Sequence, residues 1–415
     1  MALGGQFRRL WVASALSNLA DGVFQVALPL LAVTLTKSPA LVAGVALAQR
    51  LPWLVMALPA GALADRLDRR RTMVRVDALR VIVMGALAAA VGLDAASMPV
   101  LYAAAVVLGV GETLFDTAAQ SILPSLVDRS QLSAANGRLQ AVELTANQFV
   151  GPPLGGVLAA AALASAFAVS SGAYLLAALV LVAIAGSFRP QRVVDGGRAG
   201  RAPSMRADIA EGVRFVWRNA VLRTLALMLG VTNLAFTAFF AVFVLYAVRP
   251  GPMGLSKAGY GLFLTASAVG GVVGSWLGPR LERALGRARC LFVAITLFGA
   301  SLAVPAITAS VAANATAFAL EGVWSVVWNV ITVSLRQRIT PDHLLGRMNS
   351  TYRLLGWGTM PIGAALGGAV AEWAGLRVTF AAAALVHLPL LLGFLVVTER
   401  RIVEAEAAYT PNLSA

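Results

Sequence analysis

The stretch Gly61-Ala-Leu-Ala-Asp-Arg-Leu-Asp-Arg-Arg-Arg71 is a short polar loop between two long apolar segments. A related stretch, Gly278-Pro-Arg-Leu-Glu-Arg-Ala-Leu-Gly-Arg-Ala-Arg289, begins 217 residues further along the chain and also follows an apolar segment. Both stretches start with glycine, carry an acid four residues later and end in a basic cluster. This recurrence predicts that the chain is built twice from one plan.

A second pair of matches supports the repeat. A leucine and an asparagine precede a glycine pair in the first half, and the same pattern recurs about 213 positions later. The residues are Leu132, Asn136 and Gly155-Gly156, then Leu345, Asn349 and Gly367-Gly368. Two matches at nearly one offset predict a 6+6 architecture, in which two sister bundles related by an axis along the membrane normal form a site between them.

The composition places both halves in a membrane. Hydrophobic residues make up 59% of the 415 residues, and the mean hydropathy is +0.79. Charged residues make up 13%, whereas a soluble protein carries about 25%. A transmembrane helix needs about 20 apolar residues. We predict twelve spans, at 10–36, 41–64, 72–94, 98–122, 138–162, 164–188, 221–248, 257–280, 290–310, 312–335, 347–371 and 377–398. The predicted fold class is all-α integral membrane, with twelve transmembrane helices in two six-helix bundles.

The charges are divided by membrane side. A soluble protein with the net charge of +14 found here would suggest a nucleic-acid partner, but these arginines lie in the gaps between apolar segments. If the N-terminus is cytoplasmic, the external loops hold only Lys37, Arg249, Lys257 and Arg377. The positive-inside rule then predicts two cytoplasmic termini and no nucleic-acid partner. The excess of arginine over lysine is typical of a high-GC bacterial genome, so we expect a multi-pass protein of the bacterial cytoplasmic membrane.

The longest gap between apolar segments predicts the domain organisation. We predict an N-terminal bundle, a cytoplasmic linker, a C-terminal bundle and a cytoplasmic tail, at 1–188, 189–220, 221–398 and 399–415. The first part of the linker is rich in Gly, Arg and Pro, and we expect it to be flexible. From Ser204 onward, apolar residues recur at helical spacing, at Met205, Ile209, Val213, Val216 and Trp217. This pattern predicts an amphipathic helix on the cytoplasmic membrane surface, and a simple linker is the alternative.

The fifth apolar segment contains Gly151-Pro-Pro-Leu-Gly-Gly156. Two adjacent prolines remove two backbone donors and should kink the helix. Gly155 and Gly156 allow a neighbouring helix to approach closely. The motif is interpreted as a bend that seals one side of a transport cavity. A purely structural kink is the alternative.

Together these features resemble the major facilitator superfamily over about residues 10–400. The loop Gly61–Arg71 is similar to its cytoplasmic signature Gly-x-x-x-Asp-Arg-x-Gly-Arg-Arg/Lys, with Asp68 where the family usually has glycine. The motif Gly151–Gly156 is similar to the core Gly-Pro-x-x-Gly-Gly of the antiporter motif, without the glycines usually found upstream. Shorter stretches are similar to the enterobactin-exporter and macrolide-efflux branch, namely Arg50-Leu-Pro52, Leu123-Pro-Ser-Leu-Val-Asp128 and Pro341-Asp-His-Leu-Leu-Gly-Arg347.

The resemblance implies a secondary active transporter. We expect it to export a small amphipathic molecule, such as a drug, an antibiotic or a siderophore-like compound, by proton antiport with alternating access. Its expected partners are the substrate, protons and the lipid bilayer, and we expect a monomer. An importer or facilitator of a small metabolite with the same fold is the alternative.

The resemblance also implies a cytoplasmic gating loop. In the family, the acid that matches Asp65 contacts the start of the eleventh helix, here near 347–350, where the helix dipole favours a negative charge. Arg66 or Arg70 would pair with Asp116. The gating residues are thus Gly61, Asp65, Arg66, Arg69, Arg70 and Asp116. Alternatively, the arginines only set the topology.

Ionisable residues inside the spans are costly and are therefore candidates for function. The candidate proton and substrate residues are Asp21, Arg50, Glu112, Glu321 and Arg353. A carboxyl group removed from water can bind and release a proton, as proton exchange requires. Asp21 and Glu112 are the first candidates, with Arg50 as the partner of Asp21, although a permanent Asp21–Arg50 ion pair is an alternative. We interpret Asp77 and Arg80, three residues apart, as a structural pair.

The sequence argues against other function classes. One cysteine, Cys290, and two histidines, His343 and His387, leave no multi-cysteine or histidine-rich metal site, so we expect neither metal nor cofactor. A primary pump would need a phosphate-binding Gly-x-x-x-x-Gly-Lys-Ser/Thr loop, and the sequence has none. No cluster of catalytic residues indicates an enzyme. Several spans instead carry aromatic residues that could line an apolar substrate pocket, although many of them would face lipid: Phe24, Trp53, Phe115, Phe149, Phe236, Phe239, Phe240, Trp324 and Trp328. Polar residues in the spans could hydrogen-bond a substrate: Asn18, Gln25, Asn147, Gln148, Asn233 and Asn329.

Overall fold

The computed structural model describes residues 4–64, 67–128, 131–186, 188 and 205–408. These residues form sixteen α-helices: α1 (Gly5–Leu35), α2 (Pro39–Ala64), α3 (Arg69–Gly92), α4 (Met98–Ile122), α5 (Leu132–Leu144), α6 (Gly151–Ala161), α7 (Leu163–Val182), α8 (Met205–Arg218), α9 (Ala220–Ala247), α10 (Lys257–Leu285), α11 (Arg287–Ile307), α12 (Val311–Ile339), α13 (Asp342–Trp357), α14 (Met360–Ala374), α15 (Leu376–Leu385) and α16 (Glu399–Ala407). A π-helix, Thr145–Val150, lies between α5 and α6. Short 3₁₀ helices cover Leu123–Ser125 and Pro389–Leu395.

Ten segments of the described chain are long and apolar enough to cross a membrane. They are α1, α2, α4, α7, α9, α10, α11, α12, α13 continued by α14, and α15 continued by the 3₁₀ helix. The predicted spans 72–94 and 138–162 are helical but are not among these ten. In α3, six charged residues lie between Arg69 and Arg80, and the other span is divided into α5, the π-helix and α6. The twelve-span arrangement therefore stays a prediction.

Large apolar side chains are exposed on the described surface, and they indicate whether that surface faces water or lipid. Trp373 is 90% exposed, Leu395 74% and Trp276 66%. Exposed apolar area of this kind is rare on soluble monomers. The hydrocarbon of a bilayer accommodates such apolar side chains. Helices are stable there because each helix satisfies its own backbone hydrogen bonds. The chain is a multi-pass membrane protein.

The chain divides into two compact units. The first comprises Met1–Val193 and Ala241–Thr265, and the second comprises Val194–Phe240 and Ala266–Ala415. In the first unit, α1 packs on α6 and α7, α3 packs on α4 and α7, and α2 packs on α4. In the second unit, α11 packs on α12 and α15, and α8 packs on α13. The predicted boundaries at 188 and 221 stay a prediction.

The polar loop before α3 shows why Asp68 replaces the glycine of the family signature. Asp68 is the N-cap of α3, with φ −67°, so the backbone there does not require glycine. Its carboxylate accepts hydrogen bonds from the N–H groups of Arg71 and Phe188, each at 3.0 Å. The acid thus caps α3 and ties it to the residues that follow α7.

Candidate functional site

A buried charge cluster, formed by Asp21, Asp77 and Arg80, lies in the first unit where α1, α3 and α7 pack together. Arg80 Nη1 donates to Ser17 Oγ at 3.0 Å and lies 3.4 Å from Asp77 Oδ1. Its Nη2 lies 3.8 Å from Asp21 Oδ1. One guanidinium therefore faces two carboxylates, and both Arg80 and Asp77 are almost completely buried.

Aromatic side chains complete the surroundings of this cluster. The Arg80 Cζ atom lies 5.4 Å from the centroid of the Phe115 ring and 5.0 Å from that of Tyr174, within range of a cation–π attraction. Tyr174 Oη donates to Asp21 Oδ1 at 2.6 Å. Gly111 of α4 leaves room for the guanidinium, since a Cβ atom there would lie 3.0 Å from Arg80 Nε. The arginine is thus held between charged and aromatic partners.

The structure gives Asp21 a partner other than Arg50. The ion pair of Asp21 is with Arg80, because Asp21 lies on the face of α1 that packs against α7, and α7 also packs on α3. The predicted contact between Asp77 and Arg80 is confirmed. Arg50 instead lies in electrostatic range of Glu112 in α4, which also accepts a hydrogen bond from the side chain of Trp53.

Glu112 and Asp116 extend the cluster along α4. Glu112 is in electrostatic range of Asp21 and Arg80. Asp116 is in range of Glu112, Asp21 and Arg80. The structure therefore brings three predicted residues, Asp21, Glu112 and Asp116, into one electrostatic neighbourhood in which acids outnumber arginines.

The glycine–proline motif lies directly beside Asp21. The next residue in α1, Gly22, faces the chain around Gly151, and a Cβ atom on Gly22 would lie 3.0 Å from the Cα atom of Gly151. A Cβ atom on Gly155 would lie 2.7 Å from the carbonyl oxygen of Val23. Close approach of α1 therefore requires Gly151 and Gly155, whereas the motif predicted close approach at Gly155 and Gly156.

A π-helix absorbs the interruption that the two prolines impose. The N–H group of Gly151 donates to the carbonyl oxygen of Ala146, five residues back. Asn147, within the π-helix, donates to Asn18 Oδ1 at 2.9 Å, one turn from Asp21 in α1. Single π-helical turns are frequent at functional sites. Here the irregular turn contacts α1 beside the charge cluster.

Gly156 faces a different helix. A Cβ atom on Gly156 would lie 2.8 Å from the carbonyl oxygen of Lys257 and 2.9 Å from the Cα atom of Gly261, both in the part of α10 that belongs to the first unit. Gly261 in turn contacts the carbonyl of Pro152. Of the two glycines at the end of the motif, Gly155 thus packs against α1 and Gly156 packs against α10.

The second unit has its own buried acid. Glu321 of α12 is 8% exposed, and its Oε2 accepts a hydrogen bond of 2.7 Å from Ser267 Oγ of α10. No described cation lies within ion-pair distance of it. Gly322 contacts the Ser267 carbonyl at this crossing. A buried carboxylate without a cation is costly. Because Glu321 lies where α12 crosses α10, the charge of Glu321 affects how these two helices pack.

A cavity of about 60 Å³ lies elsewhere in the second unit. Its walls come from α9, α11 and α12 and are largely apolar and aromatic, with Phe298, Trp324 and Trp328. Thr232 lies in the wall, and its buried hydroxyl has no hydrogen-bond partner among the described residues. Asn233, in the same wall, donates to the carbonyl of Gly356 at 2.8 Å. The cavity presents aromatic walls and polar side chains, and its volume is below the roughly 150 Å³ that holds a benzene ring.

Other predicted residues lie apart from these features. Arg353 is exposed, with its guanidinium 4.5 Å from the centroid of the Trp357 ring. Arg70 donates to the carbonyl of Ile184, after α7, rather than to Asp116. The backbone N–H of Arg69 donates to the Phe188 carbonyl at 3.4 Å. Gly61 lies in α2, whereas Asp65 and Arg66 lie outside the described residues, so the latch of Asp65 stays a prediction. Among the described residues, no group of three or more His, Cys, Asp or Glu side chains could hold a metal ion.

Comparison with known proteins identifies the family. Residues 4–414 match the family described as transmembrane secretion effectors. The chain belongs to this family of the major facilitator superfamily. It is a transporter, not an enzyme.

Curated members of the superfamily are similar over nearly the whole chain. The multidrug efflux pump Tap of Mycolicibacterium fortuitum is 31% identical over 417 residues, which cover 96% of this chain and 97% of that protein. The enterobactin exporter EntS of Salmonella typhi is 26% identical, with coverage of 87% and 84%. The predicted family and its exporter branch are therefore confirmed as the chain's relatives.

Solved structures show the same superfamily fold. The nucleoside transporter NupG matches with a TM-score of 0.73 at 11% identity, over 95% of this chain and 99% of that one. A bacterial homologue of the iron transporter ferroportin, in an inward-facing state, matches with a TM-score of 0.71 at 19% identity over the same shares. At these identities the similarity shows the fold alone.

No pattern in the sequence indicates that Arg80 and Tyr174 are partners of Asp21, or that Ser17 contacts Arg80 and Asp77. Arg80 was visible as a charge three residues after Asp77, which explained it locally and hid its contact with α1. A tyrosine in the apolar helix α7 carries no signal of its own. Only the rotation of each helix about its axis, set by packing, brings these residues together.

Proposed function

We propose that this transporter exports a small amphipathic molecule, such as a drug, an antibiotic or a siderophore-like compound, in exchange for protons. It would have twelve spans in a 6+6 arrangement, with α3 as the third span and α5 to α6 as the fifth, and both termini in the cytoplasm of a bacterium. The names of the relatives, a multidrug efflux pump and an enterobactin exporter, support export.

The observation that carries proton coupling is the single guanidinium of Arg80 between Asp21 and Asp77. With both carboxylates ionised, the charge cluster has one uncompensated negative charge inside the membrane. A proton removes that charge, and so does a cationic or hydrogen-bonding group of a substrate. Competition between proton and substrate for one charge is what exchange requires.

Asp21 is the proton carrier in this proposal. Its side chain is 13% exposed, whereas that of Asp77 is 0% exposed, so Asp21 is the acid that water can reach. Glu112 and Arg50 are the second acid–base pair of the same neighbourhood. Glu321 is a separate candidate carrier in the second unit, and Arg353 is a candidate contact for substrate.

The position of Asp21 links its charge to helix packing. Gly22, its neighbour in α1, packs against Gly151 and the π-helix. A change of charge at Asp21 therefore acts where α1 crosses the antiporter motif. The glycine contacts allow these helices to shift against each other during alternating access, with the motif Gly151, Pro152, Gly155 and Gly156 closing the cavity on one side.

Transport into everted membrane vesicles tests the proposal. With a panel of amphipathic drugs, we expect uptake that an uncoupler abolishes and that Asp21→Asn reduces at least about tenfold at normal protein yield. Asp94→Asn, at an exposed acid after α3, is the matched control and should transport normally. Uncoupler-insensitive uptake would remove proton coupling, and transport only into right-side-out vesicles would identify an importer.

A further inference from the structure

Helix α8 has one face that the protein itself occupies. Glu211 forms an ion pair with Arg347 of α13. Val216 is fully buried in a hydrophobic cluster that includes Met348. Gly212 lies at the closest approach, because a Cβ atom there would lie 2.6 Å from the Arg347 carbonyl oxygen. This face docks α8 on the start of α13.

The opposite face of α8 is exposed and carries both apolar and basic side chains. Val213 and Trp217, four residues apart, are 38% and 48% exposed. Arg214 and Arg218 form a parallel exposed pair beside them. Neither arginine forms an ion pair with a described residue. We call Val213, Arg214, Trp217 and Arg218 the outer face of α8.

The outer face lies at the level where spans enter the membrane. Helix α8 ends at Arg218, and the apolar span α9 begins at Ala220. Arg223, in the first turn of α9, donates to the carbonyl of Trp217 at 3.1 Å and fixes this junction. Arg347, which holds the inner face, lies near the start of α13, and the apolar helix α14 continues α13.

We propose that the outer face of α8 is a binding site for anionic phospholipid headgroups. Tryptophan and valine at this level enter the acyl boundary, as in interfacial helices, while the two guanidiniums hydrogen-bond to lipid phosphates. An acidic protein partner would match the arginines but would leave Val213 and Trp217 at the membrane boundary unexplained. The same helix holds Arg347 through Glu211, so bound lipid also fixes the start of α13.

The test measures amide hydrogen exchange of the full chain in nanodiscs. One bilayer is phosphatidylcholine alone, and the other contains phosphatidylglycerol. We expect the amides of α8 to exchange more slowly in the anionic bilayer, by about fivefold for each arginine that contacts lipid, and the difference to shrink in high salt. Equal exchange in both bilayers would overturn the proposal. So would the same slowing by glycerol phosphate added to neutral nanodiscs, because the ligand would then be free phosphate.

Variants separate lipid binding from a general loss of structure. Arg214→Gln with Arg218→Gln should abolish the difference between bilayers, and Arg214→Lys with Arg218→Lys should keep most of it. Arg400→Gln with Arg401→Gln, the same charge change at exposed residues of α16, is the control and should keep all of it. A lipid effect that survives the glutamine pair, or is lost equally in the control, contradicts the assignment to α8.

Glu211→Gln tests the connection to α13. We expect α8 to keep its lipid-dependent protection in this variant, while residues 347–351 lose theirs. If residues 347–351 respond to lipid as in the unmodified protein, the ion pair does not transmit binding. Because exchange is measured without substrate or a proton gradient, a failure here is distinct from a failure of the export proposal.

Discussion

Arg80 of α3 forms an ion pair with Asp21 of α1, and the same guanidinium contacts Asp77 of its own helix. The arginine is thus the shared cation of two helices. Its burial makes the arrangement sensitive to charge, because an uncompensated ion in a low-dielectric interior is far more costly than one at the surface. The cluster therefore has a structural role, and the proposed function gives it a role in transport as well.

Removal of the shared cation should destabilise the first unit. We expect Arg80→Gln to lower the free energy of unfolding by about 3–5 kcal/mol, since two buried carboxylates lose their partner. A second change, Asp77→Asn, should recover part of this loss, because it removes one of the two acids. Thermal unfolding in detergent measures both. Arg75→Gln, at an exposed position of the same helix, is the control, and equal stability of the Arg80 and Arg75 variants would contradict the argument.

Local patterns in the sequence predicted local features well. The i,i+3 spacing of Asp77 and Arg80 predicted their contact, and the apolar period predicted α8 almost to the residue. The motif at Gly151–Gly156 predicted close helix packing. These predictions succeed because their physical cause lies within one or two turns of a helix.

Long-range partners were not predictable in the same way. Asp21 was assigned to Arg50, but packing turns it toward Arg80 and Tyr174. No pattern indicated that Glu211 would pair with Arg347, or that Gly156 would face Gly261 rather than α1. Such contacts depend on which helices are neighbours and on the orientation of each helix about its own axis. Neither can be inferred from the residues of one segment alone.

The contact between Gly156 and Gly261 should not tolerate a methyl group. We expect Gly156→Ala to lower the free energy of unfolding by about 1–3 kcal/mol and to reduce transport, because the added Cβ meets backbone atoms that cannot move aside. Gly172→Ala, where a Cβ meets nothing within 4 Å, should instead be neutral or stabilising by up to about 1 kcal/mol. Thermal unfolding and vesicle transport distinguish them, and similar behaviour of the two variants would refute the packing role.

The aromatic cavity should affect substrates selectively. Trp324→Ala removes an indole from its wall, so we expect a higher KM for substrates with an aromatic ring and little change for those without one. Trp276→Ala removes an indole that is 66% exposed and should leave every KM unchanged. Initial rates in everted vesicles provide the comparison. A uniform loss of rate across all substrates in Trp324→Ala would indicate a structural effect rather than a binding site.

The last helix, α16, should be released by acid. Burial alone would raise the pKa of Glu399, but hydrogen bonds from the N–H of Ala288 and from the Arg287 guanidinium outweigh it and lower that pKa below its ordinary value. A depressed pKa means that the stabilisation is present above the unfolded value, about 4.3, and is lost as the pH falls through the folded value. Hydrogen exchange of residues 399–408, relative to the intrinsic rate of each amide, should therefore accelerate as the pH is lowered below the ordinary glutamate pKa. At neutral pH, Glu399→Gln should accelerate it as well, whereas Glu404→Gln, at an exposed pair with Arg400, should not. Equal exchange in both variants would show that Glu399 does not hold α16.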